Sequence, residues 1–136
     1  MAKTKVVHIA GKRKSAVARA TIKKGRGKVK INKQPVEIFN PELARLRLQE
    51  PIVIAGNVAN EVDIDVNISG GGWSSQVEAA RLAIAKGLVE YTGSKELEKT
   101  YLDYDRHLLV ADTRRKERKK PMTHSRARGK RQKSYR

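Results

Sequence analysis

The sequence predicts an α+β two-layer sandwich that gives way to an extended basic tail. Three observations carry this reading. Val62, Ile64, Val66 and Ile68 alternate with Asp63, Asp65 and Asn67, the period of a half-buried strand. Soon afterwards Val77, Ala80, Ile84, Leu88 and Tyr91 recur at helical spacing. The last 23 residues, from Arg114, hold twelve Lys or Arg against one acid, Glu117, and so carry +11 of the chain's +17. Three or four strands with two or more helices, not strictly alternating, fit two packed layers.

Taken in order, Val6 to Ala10 is a short β-branched run that reads as a first strand entering a basic turn, Gly11 to Lys14. Ala16, Ala18, Ala20 and Ile22 then alternate with Val17, Arg19, Thr21 and Lys23, a strand whose small residues let a helix pack closely. Lys24-Gly25-Arg26-Gly27 reads as a hairpin turn, glycine supplying positive φ, so Lys28 to Asn32 is expected to pair back with Val29 and Ile31 inward. Asn40-Pro41 starts a helix with Asn as cap, Leu43 and Leu46 toward the core, and Pro51 as its break or restart. The apolar run Ile52 to Ala55 ends at Gly56. After the strand to Ile68, Ser69-Gly70-Gly71-Gly72-Trp73 opens the long helix, and Ser75 with Glu78 has capping-box spacing. Gly93 ends it, Ser94 caps another, and Leu97, Tyr101 and Leu108 recur along that one before Leu109 to Asp112 lead into the tail.

A chain of 136 residues suits one domain, read as a body over 1–113 and a tail over 114–136. At 38% hydrophobic the body can bury a modest core, and no Cys is present for a disulfide, a thiolate metal site or a thiol nucleophile. No apolar run suits a secretory signal or a membrane span of about 20 residues, so a soluble, intracellular protein is expected. Ordering a backbone costs about 1–2 kcal/mol per residue, and Met122 and Tyr135 are the tail's only sizeable apolar side chains, so a tail disordered until it meets a polyanion is expected. Clustered cations point to nucleic acid first. A membrane surface ranks below it, because no acyl site or bulky amphipathic anchor accompanies the charge.

Within the tail, Arg114, Arg115, Arg118, Lys119, Lys120, Arg126, Arg128, Lys130 and Arg131 are candidate phosphate contacts. A second set, Lys12, Arg13, Lys14, Arg19, Lys23, Lys24, Arg26 and Lys28, lies in a stretch free of acids from Met1 to Val36 and reads as a positive patch; the bland alternative is a charged strand edge. Gly70, Gly71 and Gly72 lead a strand into a helix N-terminus, where free N–H groups suit a phosphate of RNA; the alternatives are a nucleotide phosphate or a plain positive-φ turn. Neither G-K-[ST] nor G-x-G-x-x-G follows. His8, His107 and His124 are scattered, Asp63 and Asp65 read as solvated outward residues rather than a metal pair, and no cofactor is implied. Aromatics, at 4%, are too few for a base-stacking platform.

Four blocks in register, GKRKSAVARATIKKGRGKVKIN from Gly11, GGGWSSQ from Gly70, DTRRKERKK from Asp112 and KSYR from Lys133, resemble the universal small-subunit ribosomal protein nine family over nearly the whole chain. YDRHLLVADTRR from Tyr104 and the ending Ser134-Tyr135-Arg136 look like its archaeal and eukaryotic branch, with an archaeal source expected from the compact length. The resemblance implies a small mixed sheet with helices on one face, similar to domain two of small-subunit ribosomal protein five, with a left-handed βαβ crossover. It implies a cytoplasmic protein of the subunit head, bound to the 3′ domain of small-subunit rRNA and to neighbouring ribosomal proteins. It also implies a tail whose tip, Lys133, Ser134, Tyr135 and Arg136, touches the anticodon stem-loop of peptidyl-site tRNA. Tyr135 stands where bacterial members have Lys, which removes a cation from that tip. The resulting expectation is a structural RNA-binding protein, neither an enzyme nor a membrane protein, with no small-molecule substrate. The runner-up is a small phosphotransferase on the same fold using the Gly70–Gly72 loop, and the third reading is a general polyanion-condensing protein.

Overall fold

The computed structural model describes residues 4–124 and 126–129. Five strands form one mixed sheet: β1 (Val6–Arg13), β2 (Ala16–Lys24), β3 (Val29–Ile31), β4 (Gln34–Pro35) and β5 (Val62–Ser69), in the spatial order β1-β2-β5-β3-β4. All neighbours are antiparallel except β3 and β5, which run parallel. The helices are α1 (Glu42–Ala55), the single turn α2 (Asn57–Asn60), α3 (Trp73–Thr92) and α4 (Lys95–Tyr104), followed by a 3-10 turn at Arg106–Leu108.

The helices cover one face of the sheet. Val7, Ala18, Ala20, Ile22, Val29, Ile31, Ile64 and Val66 point into the core, where α3 lies across β1, β2 and β5 and α1 packs on α3. The approach of α3 is close because the sheet offers small residues there. A Cβ on Gly11 would overlap the Ala79 carbonyl, and the facing residues Ala18, Ala79 and Ala83 are fully buried. Such contacts transmit volume changes directly, since a packed interior has no slack.

Several local expectations are corrected. β1 does not end at Ala10 but runs to Arg13, so only Lys14 and Ser15 make the turn, with Lys14 at φ 53°. Lys28 to Asn32 does not pair back on β2, because β5 lies between them: β3 bonds β5 in parallel and a two-residue turn at Asn32-Lys33 returns it to β4. Burying both edges of the long amphipathic β5 stabilises more than a local hairpin would. Pro41, after a cis peptide bond from Asn40, stands at the α1 N-cap position, where no side chain caps the helix. Leu43 and Leu46 are more than half exposed; Ala44, Leu48 and Pro51 form the packed stripe, one residue out of phase with the expected one. Pro51 neither breaks nor restarts α1: its ring is buried, and its carbonyl accepts the Tyr101 hydroxyl at 2.7 Å, which ties α1 to α4. Gly72 rather than Ser75 is the N-cap of α3, so Glu78 is left for another partner.

The remaining elements follow the sequence. Val77, Ala80, Ile84 and Leu88 are buried, with Tyr91 half-buried; Ala79, Leu82, Ala83 and Ala85 are buried as well because α3 is flanked by sheet and helices. Gly93 closes α3 in the left-handed region at φ 64°, and the Ser94 hydroxyl accepts the Leu97 N–H at 3.3 Å to cap α4. Leu108 joins Tyr101 and Ala85 in a second small cluster, but from the 3-10 turn rather than from α4 itself.

Candidate nucleic-acid interface

The sheet face away from the helices is the larger candidate surface. Cross-strand pairing aligns Lys12 with Val17 and Ser69, Arg19 with Ala10 and Asn67, Thr21 with His8 and Asp65, and Lys23 with Val6 and Asp63. Lys30 sits beside Asp65 in the parallel pair, and Lys28 precedes it by two residues. Lys12, Arg19, Lys23, Lys28 and Lys30 are all exposed, against two aspartates. Apart from those charges the face carries Val6, Val17 and small or polar groups.

The two aspartates do not cancel the cations evenly. The Asp63 carboxylate accepts the backbone N–H groups of Arg26 at 2.9 Å and Lys28 at 3.1 Å, and these bonds hold it below the usual carboxylate range. Gly25 is required at that corner, because a Cβ there would overlap the same carboxylate. Asp63 thus fixes the turn that presents Arg26 and Lys28, while Asp65 lies 3.9 Å from Lys23, a pair worth little at an exposed site.

Arg13 departs from its neighbours. It falls on the helix-facing side of β1, and its side chain is only 12% exposed. Its Nε donates to Glu78 Oε2 at 2.6 Å, and Nη2 lies 3.4 Å from Asp112 Oδ2. Asp112 also accepts the Arg114 backbone N–H at 3.0 Å and Nη2 at 2.7 Å, bonds that keep its carboxyl far below the usual range. Arg115 Nη1 donates to the Lys14 carbonyl. The tail therefore leaves the body beside the β1–β2 turn, so that Lys14, Arg114 and Arg115 gather at one place. Arg118, Lys119, Lys120, Arg126 and Arg128 are exposed beyond it. Glu117 takes Lys120 at 2.7 Å and Arg128 at 2.9 Å, while the Thr123 hydroxyl lies between the carbonyls of Lys120 and Arg126, with one proton to donate to either, around a Pro121-Met122 turn. Lys130, Arg131, Lys133, Ser134, Tyr135 and Arg136 lie outside the described residues.

Gly70 and Gly71 have φ of 76° and 67°, and added Cβ atoms would stand 2.6 Å from the Ser15 carbonyl oxygen and 3.1 Å from Ala16 Cβ. These glycines wrap the end of β5 closely over the start of β2. Gly72 has ordinary φ and open space around it, and donates nothing to the strain.

A polycationic sheet face, a cationic tail leaving beside it and a glycine loop at the junction are one arrangement, and sequence comparison agrees with it. A family model described as ribosomal protein S9/S16 matches residues 11–136. The chain belongs to the ribosomal protein S9/S16 family. It is similar to the protein named small ribosomal subunit protein uS9 of Methanococcus maripaludis strain C5, at 50% identity over 97% of this chain and 99% of that one. The protein of the same name from Methanococcus vannielii is 49% identical over the same shares. Membership of the family makes the chain a ribosomal protein, part of the ribonucleoprotein of translation, with archaeal relatives.

Against that family background two residues stand out that the cation count alone missed. Lys30 belongs to the open face, a placement implied by the alternation that turns Val29 and Ile31 inward. Asp63 orders the turn; nothing in its own strand pattern distinguishes it from Asp65, since its partners come from residues nearly forty positions earlier. The phosphotransferase alternative gains no support. Of the two carboxylates on the strand before the loop, Asp63 is engaged by the turn and Asp65 is paired with Lys23, and among the described residues no three His, Asp or Glu gather as a metal set.

Proposed function

We propose that the chain is a structural component of the small ribosomal subunit that binds small-subunit rRNA through its open sheet face and its tail. The observation that carries this is the alignment of Lys12, Arg19, Lys23, Lys28 and Lys30 on a helix-free face, in a member of a ribosomal protein family. Lys14, Lys24 and Arg26 extend the set at the two turns, and Gly70 to Gly72 bring backbone N–H groups near it. The tail cations from Arg114 to Arg131 neutralise phosphates along an RNA groove, and the tail, read as 114–136, takes its form from that RNA. Arg13 contributes through the tail root rather than as a free phosphate contact. These cations position a backbone and do not by themselves read bases.

The finer assignments belong to the same reading: the 3′ domain of the rRNA in the subunit head, neighbouring ribosomal proteins as partners, a cytoplasmic location, and contact of Lys133, Ser134, Tyr135 and Arg136 with peptidyl-site tRNA. The fold is proposed to be similar to domain two of ribosomal protein five, with the left-handed crossover from β3 through α1 to β5 that the resemblance implies; the parallel β3–β5 pair supports the crossover connection itself. Electrophoretic mobility shifts with a 3′-domain transcript against random duplex of equal length, at about 150 mM salt, test the central reading. A clear preference for the transcript is expected. Equal binding would leave only a polyanion-condensing protein. Deleting Ser134 to Arg136 is expected to speed tRNA release from the peptidyl site of reconstituted subunits without affecting incorporation; unchanged off-rates would remove the tip assignment.

A further inference from the structure

The cluster around Asp112 is more than a local ion pair. It joins three separate parts of the chain: Arg13 at the end of β1, Glu78 in the second turn of α3 and Arg114 at the first residue of the tail. Arg13 Nη1 also reaches the Arg114 carbonyl at 3.5 Å, and Arg115 donates across to Lys14, so the root is held from both sides. A tail that served only as a loose string of charge would need no acid at its root, and an acid there lowers its attraction for phosphate. Asp112 side-chain exposure is 17%, whereas Arg114, its partner, is 80% exposed. The acid is therefore seated in the body while the cation it holds remains at the surface.

We propose that Asp112, seated by Arg13, is a positioning residue that fixes the direction in which the tail leaves the body, so that body and tail meet one RNA in a set relative orientation. The proposal rests on the RNA-binding reading given above. Its physical content is pre-organisation: two linked binding segments gain affinity when the join between them is ordered before binding.

Charge counting and pre-organisation predict opposite signs here. In the full chain, Asp112→Ala removes a negative charge, so electrostatics alone tightens binding to a 3′-domain transcript; the proposal has it weaken about three- to tenfold. Asp103→Ala, which removes the same charge from the exposed outer side of α4, serves as control and stays at wild-type affinity or slightly tighter. The chain has no Cys, so spin labels at Glu90→Cys on α3 and Lys119→Cys in the tail report the exit geometry by pulsed dipolar spectroscopy. Asp112→Ala is expected to broaden that distance distribution. Should Asp112→Ala fail to melt cooperatively, Arg13→Lys replaces it, keeping the charge while losing the fork that reaches both acids, with the same two expectations. An affinity equal to or tighter than wild type, or an unbroadened distribution, overturns the proposal. A wild-type chain with no preference for the transcript over random duplex overturns the RNA-binding reading instead.

Discussion

The body and the tail solve opposite physical problems. From β1 to α4 the chain buries an apolar core with no buried polar or charged residue, and Lys12, Arg19, Lys23, Lys28 and Lys30 stand on the sheet face the helices leave uncovered. Among the described residues from Arg114 onward none is buried, and beyond the root at Arg114 and Arg115 the polar bonds are short-range: Glu117 to Lys120 and Arg128, Thr123 beside its neighbouring carbonyls. Packing fixes the first region; the second has charge and little else. On the proposed reading this difference makes stability and RNA affinity separable, because different residues are assigned to each.

The sharpest way to break that separation is to remove the tail. Truncation after Thr113 is expected to lower affinity for a 3′-domain transcript at least about a hundredfold at moderate salt and to flatten the dependence of affinity on salt, since twelve cations are lost. The thermal midpoint should stay near wild type. Calorimetry beside a salt titration checks both, and a collapse of the midpoint would show that the tail supports the fold.

The converse experiments change the body alone. Gly11→Ala sets a Cβ against the Ala79 backbone and should cost about 1–3 kcal/mol by denaturant unfolding, with the salt slope unchanged. Tyr101→Phe leaves the Pro51 carbonyl without its buried donor and should cost about 1–3 kcal/mol by the same measurement. Gly71→Val, at φ 67°, should cost a similar amount and, lying in the proposed RNA surface, should weaken transcript binding as well. A change of salt slope in Gly11→Ala or Tyr101→Phe would contradict the division.

A smaller effect is expected from acid. The Asp63 carboxyl sits below its ordinary value of 3.8 because the Arg26 and Lys28 N–H groups bond the charged form. A carboxylate depressed in the folded state contributes stability above its unfolded value and loses it as pH falls through the folded one. Melting temperature should therefore decline below about pH 4, and Asp63→Asn should flatten that decline. Smallest of all, Lys23→Ala should change stability by less than about 1 kcal/mol, because its partner Asp65 is exposed and 3.9 Å away.

What could be read from the sequence follows the range of the interactions concerned. The alternation of β2 and β5, the stripe of α3 and the Ser94 cap are local patterns, and each appears in the structure. The partner of β3 is not a local pattern: Lys24 to Gly27 has hairpin chemistry, yet β5 enters between the two strands from more than thirty residues away. The same holds for the site. Arg13 looks like one more cation in Lys12-Arg13-Lys14, and only the extension of β1 by three residues turns it toward Glu78 and Asp112. Leu43 and Leu46 show the limit of short helices, where two apolar stripes differ by one residue and only the contact with α3 chooses between them.

Hydrogen exchange followed by mass spectrometry, on the full chain alone and bound to a 3′-domain transcript, tests the central claim most directly. Amides of β2, β5 and α3 should be protected in both states, while those of residues 116–129, beyond the anchored root, should exchange rapidly in the free chain and slow strongly on binding. Amides of that stretch already protected without RNA, or still unprotected with it, would contradict the account.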